Sequence, residues 1–161
     1  MLIVIDNVLS QEEQEKLKEL FTAAPEARSM RWINGSYDDV SNNPSPISKL
    51  LMLAHRTFDV SGMCGAEMWA HYGTRPEVHV DKDETLYRAQ GELRYPICSI
   101  VYYAEVKDLS GGVFATDSIS VAPKSNRAII FAPGITHGVE PYEGTRLSVA
   151  VNPWATKPMG Y

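Results

Sequence analysis

The chain has 161 residues, a formal net charge of −5 and a pI near 5.3, a length that suits one domain, 1–161, and is too short for two. The acidic balance argues against a general nucleic-acid binder, which would usually carry a basic face. No apolar run is long enough to cross a membrane and the first residues lack the pattern of a signal peptide, so we expect a cytoplasmic protein.

The beginning of the chain predicts a short strand, a helix and then a long loop. Residues 2–5 form an apolar run that predicts the strand. Ser10 and Glu13 have the spacing of a capping box, which predicts a helix that begins there and ends near residues 23–25. The polar, turn-rich stretch 27–46 predicts the loop.

A second helix is predicted directly after this loop. Ser45 and Pro46 suit the N-cap and the first helical position, because the proline ring matches the helical φ angle and the missing N–H has no partner there. Apolar residues then recur at helical spacing toward Phe58, and Gly62 is the predicted stop.

After residue 66 the pattern changes to short runs rich in β-branched and aromatic residues. Such runs, bounded by turn residues, predict strands. The predicted strands are 67–72, 77–81, 95–104, 118–121, 127–131, 137–139 and 145–151. Several short strands separated by turns are typical of a sandwich or an open barrel. We therefore predict a mainly β protein with N-terminal helices.

The predicted strand 77–81 carries two metal-ligand side chains. Alternate side chains of a strand point the same way, so His79 and Asp81 face one side while Val80 faces the other. Such a pair is also common on a solvated strand, and it therefore needs a third ligand nearby. Two imidazoles and one carboxylate on one face of an octahedral Fe(II) leave three positions open for a chelating co-substrate and dioxygen.

The third predicted ligand, His137, lies in the segment FAPGITHGV, 131–139. Arg146 follows after the turn-like residues 141–145, which predict a hairpin that sets Arg146 beside the metal strand. The strand around Arg146 is otherwise apolar, and a buried arginine demands an anionic partner. Its guanidinium is suited to bidentate pairing with a carboxylate.

In this pattern the chain resembles the Fe(II)- and 2-oxoglutarate-dependent dioxygenases, and most closely their prolyl-hydroxylase-like branch. The likeness extends over most of the chain, and the order and spacing of the motifs agree. The matching segments are IDNVLS (5–10), Tyr72, HVD (79–81), Tyr102 and Tyr103, GGVF (111–114), Pro123 and Lys124, HGV (137–139) and RLS (146–148). The resemblance implies a double-stranded β-helix, or jelly roll, buttressed by the N-terminal helices.

The resemblance also implies that His79, Asp81 and His137 bind Fe(II) and that the protein is an enzyme. The family couples decarboxylation of 2-oxoglutarate to succinate with hydroxylation of a substrate C–H bond, and we expect ascorbate to support the activity. Halogenating relatives leave the carboxylate position empty for a halide, so Asp81 favours hydroxylation. The other two histidines, His55 and His71, are predicted to be structural or surface residues.

The co-substrate pocket that the resemblance implies is centred on Arg146, which would bind the C5 carboxylate of 2-oxoglutarate. Tyr103 would also reach this carboxylate, and Ser148 would add a second hydroxyl. Ser99 lies on the same predicted strand face as Tyr103, and Tyr72 is a further candidate for this pocket.

The favoured substrate is a peptidyl side chain such as proline, because a chain this small has few residues for an enclosing lid and an open groove suits a peptide. The alternatives are a free amino acid or other small molecule, and a non-catalytic metal-binding sensor that would have no need for Arg146. Residues 32–45 and 82–94 would border the opening. The predicted loop 82–94, with Arg88, is a candidate lid.

Overall fold

Nine strands and four α-helices make up the regular structure, which a computed structural model describes for residues 1–161. The strands are β1 (Leu2–Asp6), β2 (Arg31–Asn34), β3 (Gly65–Tyr72), β4 (Ser99–Gly111), β5 (Phe114–Thr116), β6 (Ser120–Val121), β7 (Arg127–Phe131), β8 (His137–Val139) and β9 (Tyr142–Trp154). The helices are α1 (Gln11–Thr22), α2 (Tyr37–Asn42), α3 (Pro46–Phe58) and α4 (Glu84–Gln90), with 3-10 turns at Pro25–Arg28 and Val60–Gly62.

The strands form two antiparallel sheets. The larger sheet has the order β1-β7-β4-β9-β3-β2, and the smaller sheet has the order β6-β5-β8. Tyr103 and Phe131 of the larger sheet pack against Phe114 and Val121 of the smaller sheet, so the two sheets face each other. The predicted mainly β architecture with N-terminal helices is confirmed.

The other face of the larger sheet is covered by α1 and α3. Because strand side chains alternate between faces, Tyr102 packs into the helix side while its neighbour Tyr103 faces the smaller sheet. The main contributors to the helix-side core are Leu17, Phe21, Leu50, Leu51, Ala54, Ile100, Tyr102, Ile130, Leu147, Val149 and Val151. No helix is long and apolar enough to cross a lipid bilayer.

Both predicted N-terminal helices are present. Ser10 and Glu13 form the predicted capping box of α1, and Ser45 caps α3 ahead of Pro46. The predicted stop at Gly62 is wrong, because Asp59 ends α3 by adopting a left-handed conformation at φ 41°.

The predicted long loop 27–46 is wrong, since it contains β2 and α2. Strand β2 pairs with β3, which lies far along the chain, so no local pattern reveals its partner. Helix α2 has only six residues and begins at a capping box between Ser36 and Asp39. It is too short to show a helical period in the sequence.

The predicted strand 77–81 is also wrong. Its only strand-like pairing is a single bridge between His79 and His137. The predicted strand 95–104 begins later, at Ser99, and continues to Gly111 through two irregularities in its pairing with β9. Strand β5 has three residues and was not predicted.

The segment 82–94 is not a loop, because it contains α4. The Asp83 side chain accepts a 2.9 Å hydrogen bond from the Leu86 N–H and caps the helix, and Leu86 is buried. Gly91 ends the helix at φ 70°. The Asp83 N–H donates to the Arg94 carbonyl at 2.8 Å, so the two ends of the segment are tied together.

Candidate metal and co-substrate site

The two candidate metal-binding histidines lie directly opposite each other. His79 and His137 exchange both backbone hydrogen bonds, each 2.9 Å long, and residues paired in this way direct their side chains to the same face. Their ring centroids are 4.4 Å apart. A single β-bridge, and not the predicted strand 77–81, therefore places the His79 imidazole beside that of His137.

Asp81 completes a three-residue group. One potential ligand atom from each of His79, Asp81 and His137 lies within 4.8 Å of the other two. Nε2 of His79 is 3.4 Å from Oδ1 of Asp81, and Nε2 of His137 is 3.9 Å from Oδ2. The side chain of His137 is 5% exposed and that of His79 is 36% exposed, so the group opens to solvent on the His79 side.

Both imidazole rings are oriented by the backbone. Nδ1 of His79 lies 2.7 Å from the Glu77 carbonyl, and Nδ1 of His137 lies 3.0 Å from the Ile135 carbonyl. A carbonyl oxygen only accepts hydrogen bonds, so each Nδ1 carries the proton and donates it. The lone pairs of the two Nε2 atoms are then directed at the space beside Asp81, as metal ligation requires.

The electrostatics of the three residues favour this donor set. Burial alone would raise the pKa of Asp81, but the contacts with His79 and His137 and the hydrogen bond from Ser99 hold it below its ordinary value. Burial lowers the pKa of His137. The carboxylate of Asp81, which would accept a hydrogen bond from a protonated Nε2, raises the pKa of His79. Asp81 is therefore an anion and His137 a neutral base at neutral pH, which are the forms that bind metals.

Ser99 lies beside Asp81 and not beside Arg146. Its hydroxyl donates a 2.6 Å hydrogen bond to Oδ2 of Asp81. Ser99 and Tyr103 share a strand face as predicted, but four residues of a strand span about 13 Å. The prediction that Ser99 belongs to the co-substrate pocket is therefore not supported, and its contact is with the carboxylate of the metal group.

Arg146 approaches the group from the other sheet. The predicted hairpin is wrong, because His137 lies on β8 of the smaller sheet and Arg146 lies on β9 of the larger one. Arg146 is 1% exposed, and its Nε and Nη1 atoms have no hydrogen-bond partner. No carboxylate lies within ion-pair distance of it. An unpaired guanidinium at this depth is costly, and an anionic ligand would relieve the cost.

The side chains of Tyr103 and Ser148 bring two hydroxyl groups to the surroundings of Arg146. The Tyr103 ring centroid is 5.1 Å from the Arg146 Cζ atom, and the buried Tyr103 hydroxyl has no hydrogen-bond partner. Burial raises the pKa of Tyr103, so the phenol is neutral. Ser148 and Arg146 line the same cavity as His79, Asp81 and His137. The remaining lining residues are Trp69, His71, Pro76, Val101, Phe114, Val139 and Ala150.

Tyr72 lies outside this cavity. In the pairing of β3 with β9 it is opposite Leu147, which belongs to the helix-side core, whereas Arg146 faces the smaller sheet. The Tyr72 ring instead lies under the guanidinium of Arg28, 4.7 Å from its Cζ atom. The prediction that Tyr72 shares the pocket with Arg146 is not supported, because adjacent residues of a strand point to opposite faces.

His71, which is predicted to be a structural or surface residue and not a ligand, lies in the cavity wall opposite Ser148. Its Nε2 atom accepts a 3.1 Å hydrogen bond from the Trp69 indole. Burial, with the charge of Arg146, lowers the pKa of His71 to about 4, so the ring is neutral. Glu67, Trp69 and His71 are spaced two residues apart in the sequence. This period of two could have predicted that Trp69 and His71 share a strand face.

A second, wider cavity of about 370 Å³ adjoins the first. The two cavities share the residues Trp69, His71, Pro76, His79 and Asp81. Residues 82–85 border the wider cavity, as expected for the segment 82–94. Arg88 does not border it, and its side chain is 81% exposed.

A third cavity of about 570 Å³, between the N-terminal helices, is bordered by Ile33, Asp39, Val40, Asn43 and Ser45. The prediction that residues 32–45 border the opening is therefore not supported, because none of them lines either cavity at the metal group.

Solved structures with the same fold are prolyl hydroxylases and related oxygenases. A Pseudomonas putida prolyl-4-hydroxylase is 17% identical, with a TM-score of 0.65 over 97% of this chain and 88% of that chain. The viral collagen prolyl hydroxylase of Paramecium Bursaria Chlorella virus-1, in a 2-oxoglutarate complex, is 14% identical, with a TM-score of 0.59 over 97% and 96%.

A Trichoplax adhaerens prolyl hydroxylase, in complex with a hypoxia-inducible-factor peptide fragment, is 11% identical, with a TM-score of 0.59 over 96% of this chain and 83% of that chain. No family model matches the chain, and no curated protein matches it in sequence. The likeness is therefore one of fold. It confirms the predicted jelly roll of the prolyl-hydroxylase-like oxygenases.

Proposed function

We propose that the protein is an Fe(II)- and 2-oxoglutarate-dependent dioxygenase that hydroxylates a C–H bond. One observation carries the proposal: a group of two histidines and one aspartate shares a cavity with a buried arginine that has no anionic partner. Either feature alone would also suit a protein that is not an oxygenase. Together they match the needs of a metal that must be chelated by a small dicarboxylate.

His79, Asp81 and His137 would hold the Fe(II). Their ligand atoms lie within 4.8 Å of one another, and small movements of the side chains would bring them onto one face of an octahedral ion. The hydrogen bonds of the two Nδ1 atoms to backbone carbonyls keep the rings in place, and the Ser99 hydroxyl restrains the Asp81 carboxylate. Such outer partners usually change metal affinity by about 10- to 100-fold when they are removed.

Arg146 would bind the C5 carboxylate of 2-oxoglutarate. Two of its nitrogen atoms are buried without partners, which suits the bidentate pairing that arginine makes with a carboxylate. The unpartnered Tyr103 hydroxyl and Ser148 would complete the site. When bound, Fe(II) and 2-oxoglutarate would supply the oxidation of a C–H bond by dioxygen, with succinate and carbon dioxide as products.

Aromatic residues exclude water from the inner side of the site. The Phe114 ring stacks on His137 with a centroid distance of 5.3 Å, and Phe131 contacts the same imidazole edge-on at 4.7 Å. Electrostatic attraction between Arg146 and a carboxylate is stronger in such surroundings than in water. The apolar wall therefore supports the selection of an anionic co-substrate.

The substrate would enter through the wider cavity, on the exposed side of His79. We propose that it is a peptidyl side chain such as proline. Two observations support this: the cavity is open and bordered by the residues 82–85, and a solved structure with this fold holds a peptide fragment. A free amino acid or other small molecule is the alternative that the same opening allows.

The alternative function, a non-catalytic metal sensor, is separated from the enzyme by Arg146. Under anaerobic conditions, the Fe(II)-loaded protein should develop the visible charge-transfer absorbance of chelated 2-oxoglutarate. Arg146→Ala should weaken 2-oxoglutarate binding by about 1.5–3 kcal/mol, the range for hydrogen bonds to a charged group, and Arg146→Lys should recover part of it. Arg56→Ala, at an exposed position of α3, is the matched control.

An unchanged 2-oxoglutarate titration in Arg146→Ala, with metal binding retained, would contradict the proposed function and favour the sensor. Turnover is tested in the same preparation. After admission of air, with ascorbate present to keep the iron reduced, wild-type protein should form succinate, and a true substrate should gain 16 Da by mass spectrometry.

A further inference from the structure

Strands β3 and β9 form a continuous line of cavity-facing residue pairs. His71 is opposite Ser148, Trp69 is opposite Ala150, and Glu67 is opposite Asn152. These residues lie on the same face as Arg146, because each is two positions from the next. Asn152 is six residues after Arg146, which corresponds to about 20 Å along the strand.

The two ends of this line lie in different cavities. Arg146 and Ser148 line the narrow cavity, whereas Glu67 and Asn152 line the wider one. His79 and Asp81 line both cavities, so the metal group stands between the two ends. Whatever occupies the Glu67 end is therefore on the substrate side of the proposed iron.

The Glu67 end contains buried acceptors without a cation. Glu67 is 8% exposed and Asn152 is 1% exposed. One oxygen of Glu67 accepts a 2.8 Å hydrogen bond from the Trp154 indole, and the Tyr161 hydroxyl also lies beside the carboxylate. Neither donor carries a charge, and no lysine or arginine lies within ion-pair distance of Glu67. The Oδ1 atom of Asn152 has no hydrogen-bond partner.

The other charged groups around this cavity do not balance Glu67. Lys82 is the one lysine or arginine in the cavity lining, and it already pairs with Glu84 at 2.6 Å. Asp83 also lines the cavity, but its oxygens accept from the N–H groups of Leu86 and Met159. Burial raises the pKa of Glu67, which reflects the cost of an unpaired carboxylate at this depth.

We infer that the Glu67 end binds a protonated amine or guanidinium of the substrate, which therefore carries a lysine-like or arginine-like side chain. The inference rests on the proposed function and deepens it. A cation here would donate to Glu67 and to the unpartnered oxygen of Asn152, which are directly opposite each other. Trp69, the next residue along this face, provides an apolar wall for the methylene stem.

The test uses the chain 1–161 loaded with Mn(II) and 2-oxoglutarate without oxygen, so that probes bind without turnover. The first pair of probes is Nα-acetyl-lysine methylamide and its neutral counterpart Nα-acetyl-norleucine methylamide, and the second is the arginine and citrulline pair. Calorimetry should show at least about tenfold tighter binding of the cationic member of one pair, which corresponds to about 1.4 kcal/mol. Equal binding within both pairs, or no binding of any probe, would overturn the inference.

Two variants locate the effect. Glu67→Gln keeps an oxygen for the Trp154 indole, and it should reduce the cation preference to less than about threefold while 2-oxoglutarate affinity stays at the wild-type value. Asn152→Asp adds a second carboxylate and should increase the preference. Glu19→Gln, which removes an exposed charge from α1, is the matched control and should preserve the wild-type preference. A preference that survives Glu67→Gln would overturn the inference.

The experiment separates this inference from the proposed function. If the wild-type protein does not bind 2-oxoglutarate, the proposed function is contradicted. If it binds 2-oxoglutarate but shows no preference for the cationic probes, only the inference is contradicted. Free lysine and free arginine form the last comparison. Tighter binding of the free amino acids than of the blocked probes would identify a small-molecule substrate, and the reverse would identify a peptide.

Discussion

Gly138 packs so closely on Val78 that a side chain at Gly138 would require Val78 to move. A Cβ atom on Gly138 would lie 3.0 Å from Val78 Cγ2 and 3.2 Å from Val78 Cα. These two residues are the immediate neighbours of His137 and His79, whose backbones exchange hydrogen bonds. The close approach of Gly138 to Val78 therefore permits the bridge that brings the two imidazoles together.

Replacing Gly138 by alanine should push the segment of Val78 away from β8. We expect a loss of about 1–3 kcal/mol in the free energy of unfolding, as for other overpacked sites, together with weaker metal binding. Urea denaturation and Mn(II) calorimetry measure the two effects. Gly62→Ala is the matched control, because a Cβ atom there meets nothing within 4 Å. A Gly138→Ala variant with wild-type Mn(II) affinity would show that the bridge tolerates displacement.

The metal ligands are tested by removing one imidazole at a time. His79→Ala and His137→Ala should each lower Fe(II) or Mn(II) affinity by at least about tenfold, since the remaining two ligands hold the ion less firmly. The far-ultraviolet circular dichroism should stay close to that of the wild type. His55→Ala, on α3, should bind metal normally. Wild-type metal affinity in both His79 and His137 variants would contradict the assignment.

Ser99→Ala should weaken metal binding without touching a proposed ligand. The variant removes the 2.6 Å hydrogen bond that restrains the Asp81 carboxylate, and loss of such a partner usually lowers metal affinity by about 10- to 100-fold. The affinity of the metal-loaded protein for 2-oxoglutarate should change less than in an Arg146 variant. Ser110→Ala, at an exposed position of the same strand, is the control. If 2-oxoglutarate affinity falls while metal affinity stays constant, Ser99 belongs to the co-substrate pocket after all.

His71 should make the folded protein sensitive to acid. Its pKa is about 4 in the folded protein because of burial and the charge of Arg146, against an ordinary value of 6.5. Between these two values the unfolded chain binds a proton that the folded protein does not, so stability falls as the pH drops from 6.5 toward 4. Above pH 6.5 this contribution is constant.

A His71→Gln variant removes this proton-binding difference. Relative to the wild type, its melting temperature should therefore improve steadily as the pH is lowered from 7 to 4.5, whatever the offset at pH 7. Differential scanning calorimetry of the metal-free proteins in matched buffers measures this. If the melting temperatures of the two proteins change with pH in parallel, His71 has the same pKa in the folded and unfolded states, which contradicts the prediction.

The sequence predicted those parts of the site that follow from residue type and strand period. His79, Asp81 and His137 come together as expected, and Arg146 is buried beside them without a partner. The prediction of a hairpin between His137 and Arg146 was wrong, because sequence does not show which sheet a strand joins. The turn after His137 looks like a hairpin, but the two strands it connects belong to different sheets. Local turn residues do not encode that choice.

Face assignments failed for a related reason. Tyr72 was expected near Arg146, but its place opposite Leu147 turns it to the helix side, and this depends on a pairing register with a distant strand. The short elements β2, β5 and α2 were missed because their hydrogen bonds come from distant partners or because they are too short to show a period. By contrast, the helix caps at Ser10 and Ser45 involve neighbouring residues only, and both were found.

Strand β4 contributes side chains to both faces of the larger sheet, and this restricts where residues can be inserted in it. Ser99 holds Asp81 and Tyr103 accompanies Arg146, while Tyr102, between them in the strand, is bound to Asn126 on the helix side. One inserted residue between Ser99 and Tyr103 would exchange the faces of everything beyond it, so the wrong tyrosine would meet the arginine. Insertions in natural or engineered variants should therefore be tolerated only beyond Tyr103, where the pairing with β9 is already irregular.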